Sequence, residues 1–306
     1  MTGNTLRTDQ AGRGNWLGMR LRALRAFSFP ASVLPVVAAT AAVRPVSQWD
    51  WPVLITAALG VMLLHAAGNL LNDYFDFRSG VDRRVTDDAG RPGRLLIRGE
   101  LRPRDVFVEA AVCFTLALAA AVWLVWRCGP GVTWFCGAAA LGLYAYTGPP
   151  FHLKYRALGE PLIFAVFGPL LMLGAAYAQT GRLEPIAALL SVPVGFLTTA
   201  ILVGNNVRDH DEDRSAGVVT LTQVAGVRAV RILYAVLVVL GAAVLAAFAI
   251  AGLVPRVLAA APLLLALIVK PLVRVLRGDR LPGIDAQTAR YETAVLVFLV
   301  GALIFG

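Results

Sequence analysis

Charge is what this chain has least of. Only 15% of its 306 residues are Asp, Glu, Lys or Arg, against 58% hydrophobic, and the mean hydropathy is +0.70. Soluble domains carry about 25% charged residues, so a fully water-facing surface is excluded and a polytopic membrane protein is implied. Cysteine is nearly absent. Cys113, Cys128 and Cys136 lie in or near apolar runs, lack Cys-x-x-Cys spacing and cannot all pair, which argues against a disulfide framework or a thiolate metal site. Alternating-period strand segments are missing, so a membrane β-barrel is disfavoured. No Gly-x-x-x-x-Gly-Lys phosphate loop, dinucleotide fingerprint or Ser/His/Asp order is found, and His152 and His210 have no partner at metal-ligand spacing. No cleavable signal pattern precedes the first apolar run.

What the chain does have is apolar length. A bilayer core of about 30 Å needs about 20 apolar residues per helix. Nine candidate spans meet or approach this, near 26–43, 51–72, 106–126, 131–147, 159–178, 186–204, 230–251, 256–273 and 288–305. The expected fold is an all-α bundle of about nine transmembrane helices. It forms a single domain over 16–306, with a polar, loose tail at 1–15. If the N-terminus is cytoplasmic, all but four of the 28 lysines and arginines (Arg44, Arg127, Arg182 and Arg256) fall on the cytoplasmic side, as the positive-inside rule requires. The net charge of +9 is therefore distributed by topology and marks no nucleic-acid surface.

The scarce acidic residues are clustered. Nine of nineteen (Asp73, Asp76, Asp82, Asp87, Asp88, Asp209, Asp211, Glu212 and Asp213) occupy two short segments, each behind an apolar run and both on the cytoplasmic side. Asn69, Asn72, Asp73 and Asp76 stand at i, i+3, i+4 and i+7, so a helix puts them on one face, and Asp209 and Asp213 share a face at i and i+4. An Asp at mid-membrane costs roughly 3 kcal/mol, so carboxylates that begin inside a helix end are expected to line an aqueous, cation-bearing cavity, the two patches facing each other across it. Polar helix ends neutralised by nearby arginines are the plainer alternative.

Two facing sets of carboxylate and amide oxygens suit Mg²⁺, which takes few protein ligands while bridging to phosphates. A metal-bridged diphosphate is the natural guest, with Lys154 and Arg208 in adjoining loops to meet its charge. Lys154 reads equally well as a positive-inside anchor, and Tyr146 either as a phosphate donor or as part of the interfacial aromatic belt. His65, one turn before Asn69, reads as a helix-to-helix hydrogen-bonding residue. A cation transporter using the paired carboxylates is an alternative of another class, weakened because the opposite membrane face offers no acidic partner.

The segment Asn72-Asp73-Tyr74-Phe75-Asp76-Phe77-Arg78-Ser79-Gly80-Val81-Asp82, taken with Asp209-x-x-x-Asp213, resembles the paired aspartate motifs of the UbiA superfamily of intramembrane prenyltransferases. Within it, several features are similar to the branch that prenylates 1,4-dihydroxy-2-naphthoate in menaquinone biosynthesis. They are Gly68-Asn69-Leu70, Gly80-Val81-Asp82, Asn205-Asn206-Val207-Arg208-Asp209 and Tyr146-Thr147-Gly148 with Tyr155-Arg156. Glu160 stands where the family often has Asp. The resemblance implies a central cavity open to the cytoplasmic side and laterally to lipid, in a bacterial cytoplasmic membrane. It implies Mg²⁺ held by Asn72, Asp76, Asp209 and Asp213 with Asp73 and Asp82 as helpers, and Asn69, Tyr146, Lys154, Asn205 and Arg208 around the substrates. Those substrates are expected to be a polyprenyl diphosphate and an aromatic acid. Other acceptors of the superfamily, 4-hydroxybenzoate, homogentisate or a glycerol phosphate lipid, stay open at this stage, as does the oligomeric state.

Overall fold

The computed structural model describes residues 16–80, 94–279 and 281–306; the tail 1–15 and the carboxylates Asp82, Asp87 and Asp88 lie outside the described residues. Among the described residues the chain is helical and contains no strand. Seven helices are long and apolar enough to cross a membrane: Ala26–Val43, Trp51–Arg78, Pro103–Cys128, Gly159–Thr180, Pro185–Arg208, Val227–Ile250 and Ile284–Phe305. A further pair, Arg256–Leu267 and Val269–Arg277, meets the same length and hydropathy only when taken together and is bent by 55°. The ninth expected span is Val132–Thr147, only 16 residues long.

In chain order we label α1 Trp16–Ala23, α2 Pro30–Val43, α3 Trp51–Ser79, α4 Arg94–Ile97, α5 Pro103–Cys128, α6 Val132–Thr147 and α7 Gly159–Ala165. Then follow α8 Leu171–Thr180, α9 Pro185–Arg208, α10 His210–Ala216, α11 Leu221–Val224, α12 Val227–Ile250, α13 Val269–Arg277 and α14 Ile284–Phe305. A π-helical turn, Val166–Leu170, joins α7 to α8 and contains Pro169. Proline has no N–H to donate, so the regular ladder is interrupted there.

The helix that carries the first acidic patch is longer than its apolar run suggests. α3 has 29 residues, about 44 Å at 1.5 Å per residue, well beyond a hydrocarbon core of about 30 Å. Asp50 caps its start by accepting from the Val53 N–H at 3.2 Å. Gly80, at φ 76°, ends it in the left-handed conformation that glycine adopts without steric cost. The acidic residues therefore sit inside the helix, on its last turns, rather than behind it. Ahead of α5 the described chain already carries the short helix α4. Leu95, Leu96 and Leu101 are buried against Ala23, Leu70, Val106 and Ala110, pinning α4 beneath α3 and α5.

The main packed body joins α2, α8, α9, α12, α14 and the bent pair. Between helices in lipid, close approach replaces hydrophobic drive, and small residues make it possible. At Gly168 an added Cβ would lie 2.7 Å from the Ser191 carbonyl oxygen and 3.0 Å from the Gly195 Cα, so the π-turn and α9 touch backbone to backbone. α3 and α5 pack as a second body. The cavity lies where these bodies and α6 meet.

Candidate active site

A cavity of about 740 Å³ runs between the two bodies, polar at one end and apolar along most of its length. Asn69, Asn72, Asp73 and Asp76 from α3 line it, as do Asn205, Arg208, Asp209 and Asp213 from the other side. The two patches expected to face one another do share one cavity. Tyr146 and Lys154 line the same space. Asp209 falls at a break between α9 and α10, yet the Asp213 N–H still donates to the Asp209 carbonyl at 2.8 Å, so the i, i+4 relation survives the break.

Three basic residues are seated among the carboxylates. Lys154 Nζ donates to Asp76 Oδ2 at 2.7 Å and to Asn72 Oδ1 at 2.9 Å. The Tyr155 hydroxyl donates to Asp76 Oδ1. Arg25 donates to Asp73 Oδ1 at 2.7 Å from the turn before α2. Across the cavity Arg208 forks onto Asp209, with Nε at 2.6 Å and a terminal nitrogen at 2.9 Å, and its other terminal nitrogen meets Asp285 Oδ2 at 2.9 Å. Such charge-assisted bonds fix orientation as well as energy.

Electrostatics in the loop that carries Lys154 follows from this seating. Burial alone would pull the Lys154 ammonium down, but Asp76 and the phenols of Tyr155 and Tyr146 outweigh it and hold its pKa above the ordinary lysine value. Burial raises the Tyr155 phenol, and the Asp76 charge adds to that against the opposing pull of Lys154. Both groups are therefore protonated donors at neutral pH.

Asn72, Asp73 and Asp76 are all buried, and Asn69 is tied through its amide to the Leu24 carbonyl at 3.0 Å. His65 meets the hydroxyls of Ser28 and Ser32, the structural part expected of it. Asp285 at the head of α14 and Tyr155 were not singled out from sequence as site residues. The signal for Asp285 was a lone acid in the first turn of an apolar span. Glu160 and Asn206 form a further pair, Nδ2 to Oε1 at 2.7 Å, beside the second patch.

Among the described residues no three His, Cys, Asp or Glu side chains converge at metal-ligand spacing. Mg²⁺ requires no such cluster, because it is held by one or two carboxylates with phosphate and water completing the shell. The donor set fits that pattern: hard oxygens on two opposed walls, including a buried Asn205 Oδ1 that has no hydrogen-bond partner. The Lys154 ammonium, a cation already between Asn72 and Asp76 oxygens, shows that this wall accommodates positive charge.

Comparison with known proteins agrees with this geometry. The model of the UbiA prenyltransferase family matches residues 32–290. UbiA prenyltransferase domain-containing protein 1 of Xenopus tropicalis is 34% identical over 288 residues, covering 92% of this chain and 80% of that protein. Its Homo sapiens counterpart is 34% identical over 289 residues, covering 92% and 82%. Among solved structures, a UbiA homolog from Archaeoglobus fulgidus bound to GPP and Mg²⁺ has a TM-score of 0.64 at 18% identity, covering 94% of this chain and 99% of that one. An apo UbiA homolog from Aeropyrum pernix K1 has a TM-score of 0.65 at 19% identity, covering 92% and 97%. At such identities the likeness is one of fold. The family match over most of the length and the vertebrate relatives together establish the rest: the chain belongs to the UbiA prenyltransferase family and is a prenyltransferase.

Proposed function

We propose that the protein transfers an isoprenyl chain from a polyprenyl diphosphate to 1,4-dihydroxy-2-naphthoate, with decarboxylation, to give the reduced, quinol form of demethylmenaquinone in a bacterial cytoplasmic membrane. The observation that carries the transfer is a single apolar-walled cavity whose polar end is flanked by two carboxylate sets and by Arg25, Lys154 and Arg208. The Archaeoglobus homolog of the same fold is bound to GPP and Mg²⁺, which supports an isoprenyl diphosphate and Mg²⁺ here. The choice of acceptor rests on the Gly80-Val81-Asp82 spacing and the Asn205–Asp209 sequence that resemble the naphthoate branch. The cytoplasmic face follows from the distribution of Lys and Arg.

Asn72, Asp76, Asp209 and Asp213 would hold the metal, with Asp73 and Asp82 as helpers. When bound, Mg²⁺ supplies charge neutralisation to the diphosphate. Lys154, Arg208 and Tyr146 orient the diphosphate and meet the charge that develops on it as the carbon–oxygen bond breaks, the electron pair leaving with the diphosphate. Asn69 and Asn205 supply amide contacts to the substrates. The naphthoate ring attacks the allylic cation, and carbon dioxide departs from the carboxylate as the electron pair of its bond to the ring restores the aromatic quinol. Apolar walls keep water from the cation. Asp285, which lines the same cavity and is paired with Arg208, positions it.

The test supplies purified protein, Mg²⁺, a labelled isoprenyl diphosphate and 1,4-dihydroxy-2-naphthoate carrying label in its carboxyl group. Labelled carbon dioxide released in step with prenylated product is expected. Product formed only with 4-hydroxybenzoate, homogentisate or a glycerol phosphate lipid would overturn the acceptor while keeping the transfer.

A further inference from the structure

We propose that Thr198 on α9 accepts a hydrogen bond from a phenolic hydroxyl of the aromatic acceptor, and that Glu292 on α14 positions Thr198 for it. This rests on the reading of the acceptor as a hydroxylated aromatic acid. Glu292 is a carboxyl inside an apolar span, two turns beyond Asp285, and is only 1% exposed. Asp285 has Arg208 as its counter-charge. Glu292 has none among the described residues: Oε1 meets the Thr198 hydroxyl, and Oε2 is buried with no hydrogen-bond partner. A carboxylate held there, with no cation and one oxygen bare, would carry the full penalty of a buried ion. Glu292 is therefore a neutral carboxylic acid with a proton to donate.

That proton fixes the direction of the bonds. Thr198 Oγ1 lies 3.2 Å from the Val194 carbonyl, one turn back on α9, as well as beside Glu292 Oε1. A hydroxyl has one proton and two lone pairs. The Val194 carbonyl can only accept, so it takes the threonine proton, and Glu292 donates into one lone pair of Thr198. What Thr198 has left is its other lone pair. Of the two residues, Thr198 lines the cavity, so an acceptor is what the pair presents to a substrate.

A lone pair selects its partner by chemistry. The isoprenyl chain is hydrocarbon with nothing to donate, and an ionised diphosphate carries acceptor oxygens only. A phenolic O–H is the donor that the reaction brings. Position agrees with this. Thr198 stands seven residues before Asn205, about 10 Å along α9 from the polar end, and Ile201 and Leu202 line the cavity between them. The π-helical turn whose Gly168 touches Gly195, one turn from Thr198, brings Phe167 into the same cavity, edge-to-face with His65 at 5.2 Å. A flat ring meets apolar and aromatic walls there, and one acceptor for its hydroxyl.

The test measures KM separately for 1,4-dihydroxy-2-naphthoate and for the isoprenyl diphosphate. Beside it, 1-hydroxy-2-naphthoate and 4-hydroxy-2-naphthoate, each lacking one hydroxyl, are assayed as competitors of the acceptor. Thr198→Val keeps the shape and removes the lone pair. It is expected to raise the acceptor KM about tenfold while the diphosphate KM stays within about twofold of wild type. Wild type is expected to favour one of the two competitors about tenfold or more, because a site built to pair a hydroxyl rejects the analogue without it, and Thr198→Val to lose that preference. Glu292→Leu should raise the acceptor KM likewise, and Glu292→Gln, whose amide still donates to Thr198, should recover it. A diphosphate KM that rises as far as the acceptor KM, a competitor preference unchanged in Thr198→Val, or a Glu292→Gln as impaired as Glu292→Leu would overturn the proposal. Wild type that binds no aromatic acid would instead overturn the functional reading. Should Thr198→Val fail to fold by stranding the Glu292 carboxyl, Thr198→Val with Glu292→Leu removes both partners, a change that is often nearly neutral, and carries the same expectation for the competitors.

Discussion

Asp76 is the residue on which the first wall turns, and its removal separates structure from chemistry. In Asp76→Asn the Lys154 ammonium loses a carboxylate at 2.7 Å and keeps only Asn72 Oδ1 at 2.9 Å, while the Tyr155 hydroxyl loses its charged acceptor. Breaking a buried ion pair from one side costs about 3–5 kcal/mol. The Lys154 side chain is 22% exposed and Asp76 10%, so solvent recovers part of this and the expected loss is about 2–3 kcal/mol. Adding Lys154→Met removes the stranded charge and is expected to restore most of the stability, since replacing both members of a buried pair is often nearly neutral. Neither variant is expected to transfer a prenyl group, because the carboxylate is absent from both. Denaturant unfolding in mixed micelles, run beside the transfer assay, reads both quantities. An Asp76→Asn variant as stable as wild type, or a double variant no more stable than Asp76→Asn alone, would refute the pairing.

Asp285→Asn removes the charge paired with Arg208, 2.9 Å away. A hydrogen bond to a charged group contributes about 1.5–3 kcal/mol, so KM for the diphosphate is expected to rise roughly tenfold or more with a smaller change in kcat. An effect confined to kcat would contradict a positioning role. Gly168→Ala drives a methyl to 2.7 Å from the Ser191 oxygen and is expected to lower stability by about 1–3 kcal/mol, checked by detergent melting; an unchanged melt would contradict the backbone contact. Lys154, with its pKa held above the ordinary lysine value in the folded protein, contributes stability that is complete below the unfolded value of about 10.4 and is lost only as pH rises through the folded one. The stability difference between wild type and Lys154→Met should therefore be the same at pH 6 and pH 9. A difference that shrinks across that window would contradict the raised pKa.

The apolar runs were legible because lipid imposes a length and a composition on every span, and the acidic patches because charge is rare enough here for clustering to stand out. Asp73 and Asp76 of one patch and Asp209 and Asp213 of the other line one cavity. What periodicity could not show is where helices end and what side chains from distant segments do to each other. Gly80 reads from sequence as a motif spacing, but in the structure it is also the stop that lets α3 carry Asp73 and Asp76 on its last turns. The pairing of Arg208 with Asp285, 77 positions apart, has no local signature at all. Nor has the bond from Tyr155 to Asp76, 79 positions apart. The bend between Leu267 and Val269 interrupts a run that hydropathy alone presents as continuous.

The central claim is that the two acidic walls act as one metal and diphosphate site. Equilibrium binding of a non-hydrolysable isoprenyl thiodiphosphate, with and without Mg²⁺, to wild type, Asp76→Asn and Asp209→Ala tests it most directly. The account predicts tight binding only for wild type and only with Mg²⁺, with each single variant losing most of the metal-dependent part. Mg²⁺-dependent binding that survives intact in Asp209→Ala would contradict it, leaving the α3 wall to act alone.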